Sequence, residues 1–286
     1  MIDGGKKDRG KGKLWRTFKK NKTALVGTVI ILAIIALALL APWISPHDPL
    51  EQNIRSRLKP PSQAHLLGTD EFGRDVLSRV LWGTRISLTV GILSIGFGLL
   101  IGTAMGTIAG YRGGIAGSMI MRSVDVLLSF PVLISGILVV AILGPGMWKL
   151  ILTIGIVFVP RFARLAYGPT LAIKEREYVY SARVVGVGNL RILTHYLFPN
   201  ILGEVLVAGT LWVGTAILTE ASLSFLGLGV SPPIPTWGNM IKTGVDRLTT
   251  APWLSVFPGL SILASVLSIN MIGDGLRDIT DPKLRI

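Results

Sequence analysis

Apolar residues in this chain gather into long runs, and polar residues into the short segments between them. The clearest run, ALVGTVIILAIIALALLAPWI from Ala24 to Ile44, contains no charge. A helix needs about 20 mostly apolar residues to cross roughly 30 Å of hydrocarbon, so this run predicts a membrane span. A basic leader before an apolar core also fits a secretory signal, but this run exceeds the usual core and more spans follow it. Further runs cover Ile86 to Gly110, Ile115 to Gly144, Met147 to about Val159, the stretch after Pro199 to about Leu228, and about Trp253 to Ile272. The predicted fold class is an all-α membrane protein with six transmembrane helices. Phe130-Pro131 should bend the third span, because proline removes a backbone donor and crowds the preceding turn.

The polar segments divide the chain. Residues 1–23 form a basic leader, 24–44 the first span, 45–85 an outer segment, 86–275 a five-helix core, and 276–286 a tail. With the N-terminus inside, 20 of the 29 lysines and arginines lie in inside segments and nine outside. The positive-inside bias therefore predicts both termini in the cytoplasm. In the outer segment, GTDEFGRDVLSRVLWG has an apolar stripe at Val76, Leu77, Val80 and Leu81 with Arg74 and Arg79 beside it. It reads as an amphipathic helix at the outer surface leading into the second span.

One inside segment, 170–200, is too polar to span. In YSARVVGVGNLRILTHYLFPN, preceded by Glu177, the residues Tyr178, Val179, Ala182 and Val185 share one helical face. Gly186 and Gly188 let the chain turn sharply. Asn189 then fits an N-cap, Leu190, Leu193 and Leu197 form a second stripe, and Pro199 predicts its end. The pattern is a helical hairpin at the membrane surface. The residues alone leave two roles open, a connector that covers the bundle or an element gripped by another protein.

Composition narrows the chemistry. The chain is half hydrophobic and only 16% charged, outside the range of soluble domains. Its net charge of +13 is explained by topology signals and attraction to anionic lipid, so nucleic acid is not an expected partner. With no cysteine, disulfides, thiolate metal sites and cysteine nucleophiles are excluded. His47, His65 and His195 share no local metal-ligand spacing, so no metal site is expected. No G-x-x-x-x-G-K-[ST] phosphate loop occurs, so ATP hydrolysis, if used, resides on another chain.

Charges inside spans are costly and point to function by default. Arg122 and Asp125 sit three apart near the start of the third run and read as an interfacial pair. Glu220 lies well inside the fifth run, where it either faces a pathway or holds a gate region together. Ser94, Gly98, Gly102, Gly106 and Gly110 recur every four residues in the second run. Such a small-residue face predicts close helix packing.

The segment 180–199 resembles the coupling loop of bacterial ABC importer permeases, whose pattern is Glu-Ala-Ala, three residues, Gly, nine residues, Ile-x-Leu-Pro. Ala182, Gly186 and Pro199 match, while Tyr180 and Ser181 stand where the pattern has glutamate and alanine. Four longer stretches are similar to the dipeptide/oligopeptide/nickel permease family, and to its C-type subunit in particular. They are LLGTDEFGRDVLSRVLWGTRISL, GTIAGYRGG with MRSVDVLLSFP, EASLSFLGLGVSPPIPTWGNM and NMIGDGLRDITDP.

The resemblance implies a permease paired with a second homologous permease, seated on two cytoplasmic ATPases and fed by an extracytoplasmic binding protein. ATP and its magnesium would belong to the ATPases, and this chain would bind no cofactor. It also implies that Glu177, Tyr180, Ser181, Ala182, Arg183, Gly186, Gly188 and Pro199 form the coupling loop. Dipeptides, longer peptides, nickel complexes or related solutes are the expected cargo. The rival reading is a self-sufficient ion-coupled transporter or channel using Glu220 and Asp125.

Overall fold

A computed structural model of the protein describes residues 21–280, so most of the basic leader and the last six residues lie outside the described part. The chain is helical almost throughout, with an isolated bridge between Thr69 and Asp75 among the described residues. Its helices are α1 (Lys22–Ile44), α2 (Val76–Arg112), α3 (Gly114–Leu128), α4 (Val132–Leu143), α5 (Met147–Lys174), α6 (Glu177–Val184), α7 (Asn189–Arg191), α8 (Phe198–Phe225), α9 (Trp237–Val245) and α10 (Trp253–Thr280). Helices α1, α2, α5 and α10, and the continuous stretch Asn189–Phe225, are each long and apolar enough to cross a membrane.

Helices α3 and α4 supply the sixth crossing in two legs bent by 99°. Gly117 at the start lies against Ala109 near the end of α2, whereas Gly146 after the second leg donates its N–H to Gly229 at the far end of the bundle. The predicted bend at Phe130-Pro131 is therefore a full break. Pro131 leaves the helix with an extended ψ of 137° and starts the next one as its N-cap.

Following the chain places its ends. The side chain of Asn21, capping α1, donates to Asp278 in the last turn of α10, so both described termini share one face. His47, just past α1, bonds Ser78 at the start of α2 on the opposite face. Tyr111, at the far end of α2, bonds Asn189 of the 177–197 hairpin. The hairpin thus occupies the same face as both described termini, and the 45–75 segment occupies the other.

Three expected boundaries move, the simplest being that the last helix runs on to Thr280, past Ile272 and into the expected tail. The second span continues the predicted amphipathic helix, so Val76 to Arg112 is one helix of 37 residues. Arg74 and Arg79 do not flank a surface stripe. Both are buried on Asp70, with Arg74 Nε at 2.7 Å and Arg79 Nε at 3.5 Å. Their charges are compensated, as buried charges must be. The fourth span runs to Lys174, well past Val159, because Pro160 and Pro169 are absorbed within the helix and Arg164 pairs with Asp125.

The core lies between α2 and α5. Gly98 faces the Gly155 carbonyl and Phe158 at 3.1 Å, measured from where a methyl would stand, and Gly110 faces Thr170 at 2.9 Å. A methyl on Gly102 would meet the Val159 carbonyl, and one on Gly106 the Ala163 carbonyl. The glycine ladder therefore lies backbone to backbone on α5. Phe158 and Phe162 fill the space beside it, and the Phe162 ring meets Trp212 of α8 edge-on at 4.6 Å.

Candidate functional site

The hairpin is built from a short helix, a left-handed turn and a second helix that enters the membrane. Glu177 occupies the first turn of α6, where its charge suits the helix dipole. The helix ends in a Schellman motif. Gly186 at φ +84° donates to Arg183 O at 3.0 Å, and Val187 donates to Ala182 O at 3.0 Å. This geometry satisfies the last carbonyls and requires the glycine at position 186. Gly188 has φ −62° and caps α7, so it carries no such requirement.

A small core fixes the hairpin. Val179, Ile192 and Leu197 are fully buried and pack on Tyr111 at the end of α2 and Ile173 at the end of α5. The Arg183 guanidinium lies 5.0 Å over the Tyr111 ring, and the Tyr178 and Tyr196 rings stack at 6.4 Å. The predicted stripes are partly displaced. Val179, Ala182 and Leu197 face inward, but Val185 and Leu190 are 82% and 75% exposed, and Asn189 follows the N-cap and bonds Tyr111 through its side chain. Ile192 is the inward residue that the pattern missed.

Pro199 does not end the second helix. Residues Ile192–Leu197 form a π-helical turn that hands over to α8 with Pro199 in its first positions. The wider turn accommodates a ring with no N–H to offer, so hairpin and span stay continuous. What remains on the outside is a crown of Tyr180, Val184, Val185 and Leu190 around the Gly186 turn, with Ser181 and Arg183 beside it.

Glu220 occupies the other half of α8. It is completely buried and accepts from Ser87 of α2 at 2.8 Å and from Ser224 at 2.7 Å. One carboxylate therefore ties α8 to α2. Asp125, the other intramembrane acid, does not pair with Arg122. Its partner is Arg164 of α5, which reaches it across the α3–α5 contact, while Arg122 points outward.

The histidines also differ from their linear reading. His47 and His65, 18 positions apart, meet at Asp75 on the face opposite the hairpin, with ring centroids 4.7 Å apart. No local spacing reports this, because a folded 45–75 segment closes the distance.

Comparison with known proteins adds identity to this geometry. Residues 102–286 match the family model of the binding-protein-dependent transport system inner membrane component. Residues 12–61 match the N-terminal TM domain of oligopeptide transport permease C. The chain is 43% identical over 271 residues to the dipeptide transport system permease protein DppC of Alkalihalophilus pseudofirmus, covering 95% of this chain and 89% of that one. It is 43% identical over 272 residues to the glutathione transport system permease protein GsiD of Pectobacterium atrosepticum, covering 95% and 90%. With the oligopeptide transport system permease protein OppC of Bacillus subtilis it shares 41% over 276 residues, covering 95% and 90%. Among solved structures, an inward-facing MetNI methionine ABC transporter aligns with a TM-score of 0.56 at 20% identity, over 71% of this chain and 97% of that one. What is shared with that structure is the fold. With a family model over more than half of its length and relatives above 40% identity across nearly all of it, the chain belongs to the binding-protein-dependent transport system inner membrane components, as a permease.

Proposed function

We propose that this permease forms half of the translocation pathway of an ATP-driven importer for peptides or peptide-like solutes, and that the 177–197 hairpin is where an ATPase subunit seats. The observation that carries this reading is the hairpin's division into two sides. Its inner side is locked to the ends of α2 and α5, and its outer side presents Tyr180, Val184, Val185 and Leu190 to solvent. Such an apolar crown on a polar face suits a partner protein. The turn is shaped by backbone bonds and braced by Tyr111, so a push on it moves α8 as one body.

The face carrying the hairpin also carries Arg112, Lys174, Arg176, Arg183 and Arg191, which favours a cytoplasmic orientation for it and for both chain ends. ATP and magnesium belong to the ATPase partners in this reading, since the chain contains no phosphate loop. A second permease completes the pathway, and a binding protein delivers solute on the opposite face. Peptides are the proposed cargo because relatives named for dipeptides, oligopeptides and glutathione all share peptide chemistry. Glu220 acts in this scheme as a latch rather than an ion site, since a serine hydroxyl already occupies each of its oxygens. The ion-coupled alternative loses both of its carboxylates, Glu220 to those hydroxyls and Asp125 to Arg164.

The test is reconstitution in proteoliposomes with candidate permease, ATPase and binding-protein partners. ATP hydrolysis that rises with peptide-loaded binding protein, and is absent from this chain alone, is the expected result. Peptide uptake by this chain alone in a proton or sodium gradient would overturn the assignment.

A further inference from the structure

The face opposite the hairpin holds a three-residue cluster that the transport reading does not use. His47 follows α1, His65 lies in the 59–69 loop, and Asp75 is the N-cap of α2. The two oxygens of Asp75 have separate tasks. Oδ2 accepts from the Ser78 N–H at 2.8 Å and the Ser78 hydroxyl at 2.9 Å, which caps the helix and fixes the carboxylate plane. Oδ1 is turned to the histidines, with His65 Nδ1 at 2.9 Å and His47 Nδ1 at 3.7 Å. Ser78 also accepts the His47 backbone N–H at 3.2 Å, so one hydroxyl orients both the carboxylate and the chain that carries His47.

His47 Nδ1 is the second observation. That atom is shielded from solvent and has no hydrogen-bond partner, although its ring is 39% exposed at the other edge. A buried ring nitrogen without a partner is costly, and it is aimed at a carboxylate oxygen just beyond bonding distance. The exposed edge of the ring lines a cavity of about 670 Å³ formed with Pro46, Asp48, Trp82 and Pro235, which gives an ion a way in.

We propose that His47, His65 and Asp75 bind one divalent transition-metal ion of the zinc class, in a site with two imidazoles, one carboxylate and a fourth position left to water. Tetrahedral zinc with bonds of about 2.0–2.1 Å holds its ligand atoms about 3.3 Å apart. The two observed separations, 2.9 and 3.7 Å, fall on either side of that value. Ring shifts of about 0.4 Å bring both nitrogens to that distance from Oδ1, and all three ligand atoms already lie within 4.8 Å of one another. His65 exchanges its bond to Oδ1 for the other ring tautomer, with the proton on Nε2. Ser78 already serves as the outer partner that orients the ligating carboxylate. Two imidazoles with one carboxylate suit zinc, nickel or copper and disfavour magnesium or calcium. The ion would tie the chain after α1, the 59–69 loop and the first turn of α2 to one point.

The background is favourable for a test. The chain has no cysteine, and His195 is an isolated exposed histidine on the opposite face. Full-length permease without a histidine tag, in nanodiscs, is titrated with zinc chloride by calorimetry and melted with and without EDTA. One zinc per chain and an EDTA-reversible rise in melting temperature are expected. His47→Gln should weaken binding by at least about tenfold and abolish the melting shift. Copper(II) loaded in place of zinc should show two coordinated nitrogens by electron paramagnetic resonance in the wild type and one in His47→Gln. His47 caps nothing and is partly exposed, so this variant should fold with the wild-type melting temperature in EDTA. No saturable zinc binding, or binding unchanged in His47→Gln, would overturn the proposal. The outcome is independent of which solute the transporter carries.

Discussion

Replacing Gly186 with valine separates the two ways in which the hairpin turn can matter. The glycine sits at φ +84° with open space where a side chain would project, so added volume meets nothing within the protein. The internal cost is then conformational. A left-handed residue with a Cβ costs roughly 1–2 kcal/mol, and a β-branched one lies at the upper end. Relieving the strain would break the bonds from Gly186 to Arg183 and from Val187 to Ala182, each worth about 1 kcal/mol. Either way the loss stays within about 2–3 kcal/mol, local to a surface turn and small beside the packing of α2 on α5.

Gly186→Val should therefore insert, pair and melt close to the wild type, but lose most substrate-stimulated ATP hydrolysis and retain less ATPase on co-purification. Two further variants sharpen this. Gly188→Val adds the same volume two positions away at φ −62°, where no strain arises, and reports on bulk alone. Gly186→Asn adds volume at a residue that tolerates the left-handed region, and reports on bulk with less strain. If the partner's groove is tight, Gly186→Asn also uncouples. If only the turn geometry matters, it retains coupling. Wild-type co-purification and stimulated hydrolysis in Gly186→Val would refute the seating argument, leaving the hairpin as a connector.

Other expectations follow from the same contacts. Gly106→Leu should reduce assembled permease by detergent-stability assay, because its first carbon collides with the Ala163 carbonyl; the cost is about 3 kcal/mol, and normal yield and melting would mean the ladder does not hold α2 to α5. Glu220→Ala strands the Ser87 and Ser224 hydroxyls at about 1–3 kcal/mol each and should lower the melting temperature markedly, whereas Glu220→Gln should lose little; equal stability of wild type and the alanine variant would end the latch reading. In the cysteine-free chain, cysteine at Ser62 should react with a membrane-impermeant thiol reagent added outside and cysteine at Ser181 should not; the reverse pattern would invert the topology.

Much of this architecture is legible in linear order because lipid imposes a one-dimensional signal. Apolar runs long enough to span, charges between them and a four-residue glycine period all act within one helix. Gly186 was readable for the same reason, since a Schellman turn is a local device. What linear order concealed depends on neighbours distant in sequence. Asp125 looked paired with Arg122 at i, i+3, but Arg164 lies closer in space. Arg74 and Arg79 looked like surface charges until Asp70 and the Pro49 carbonyl enclosed them. Pro199 looked like a stop, yet one π turn carries the helix through it. The two histidines at Asp75 are the extreme case, as only the folding of the 45–75 segment brings them together.

The continuity through Pro199 bears on mechanism. Had the hairpin's second helix stopped there, a displaced turn would have been cushioned by a loop before reaching the membrane. Instead Ile192 and Leu197, buried against Tyr111 and Ile173, lie on the same helical stretch as Trp212, Glu220 and Ser224. That stretch meets α2 at both of its ends, through Ile192 and Leu197 near Tyr111 and through Glu220 on Ser87. A force on the crown is delivered to a lever held at two points on one partner helix. On the proposed reading motion at one end strains the other, and the strained contact is a buried carboxylate with two hydroxyl partners. Such a contact has discrete bonded arrangements rather than a continuum, which makes it suited to switch between two states of the bundle. If the hairpin seats an ATPase as proposed, it and Glu220 would work as one device, separated by the length of α8 and joined by it.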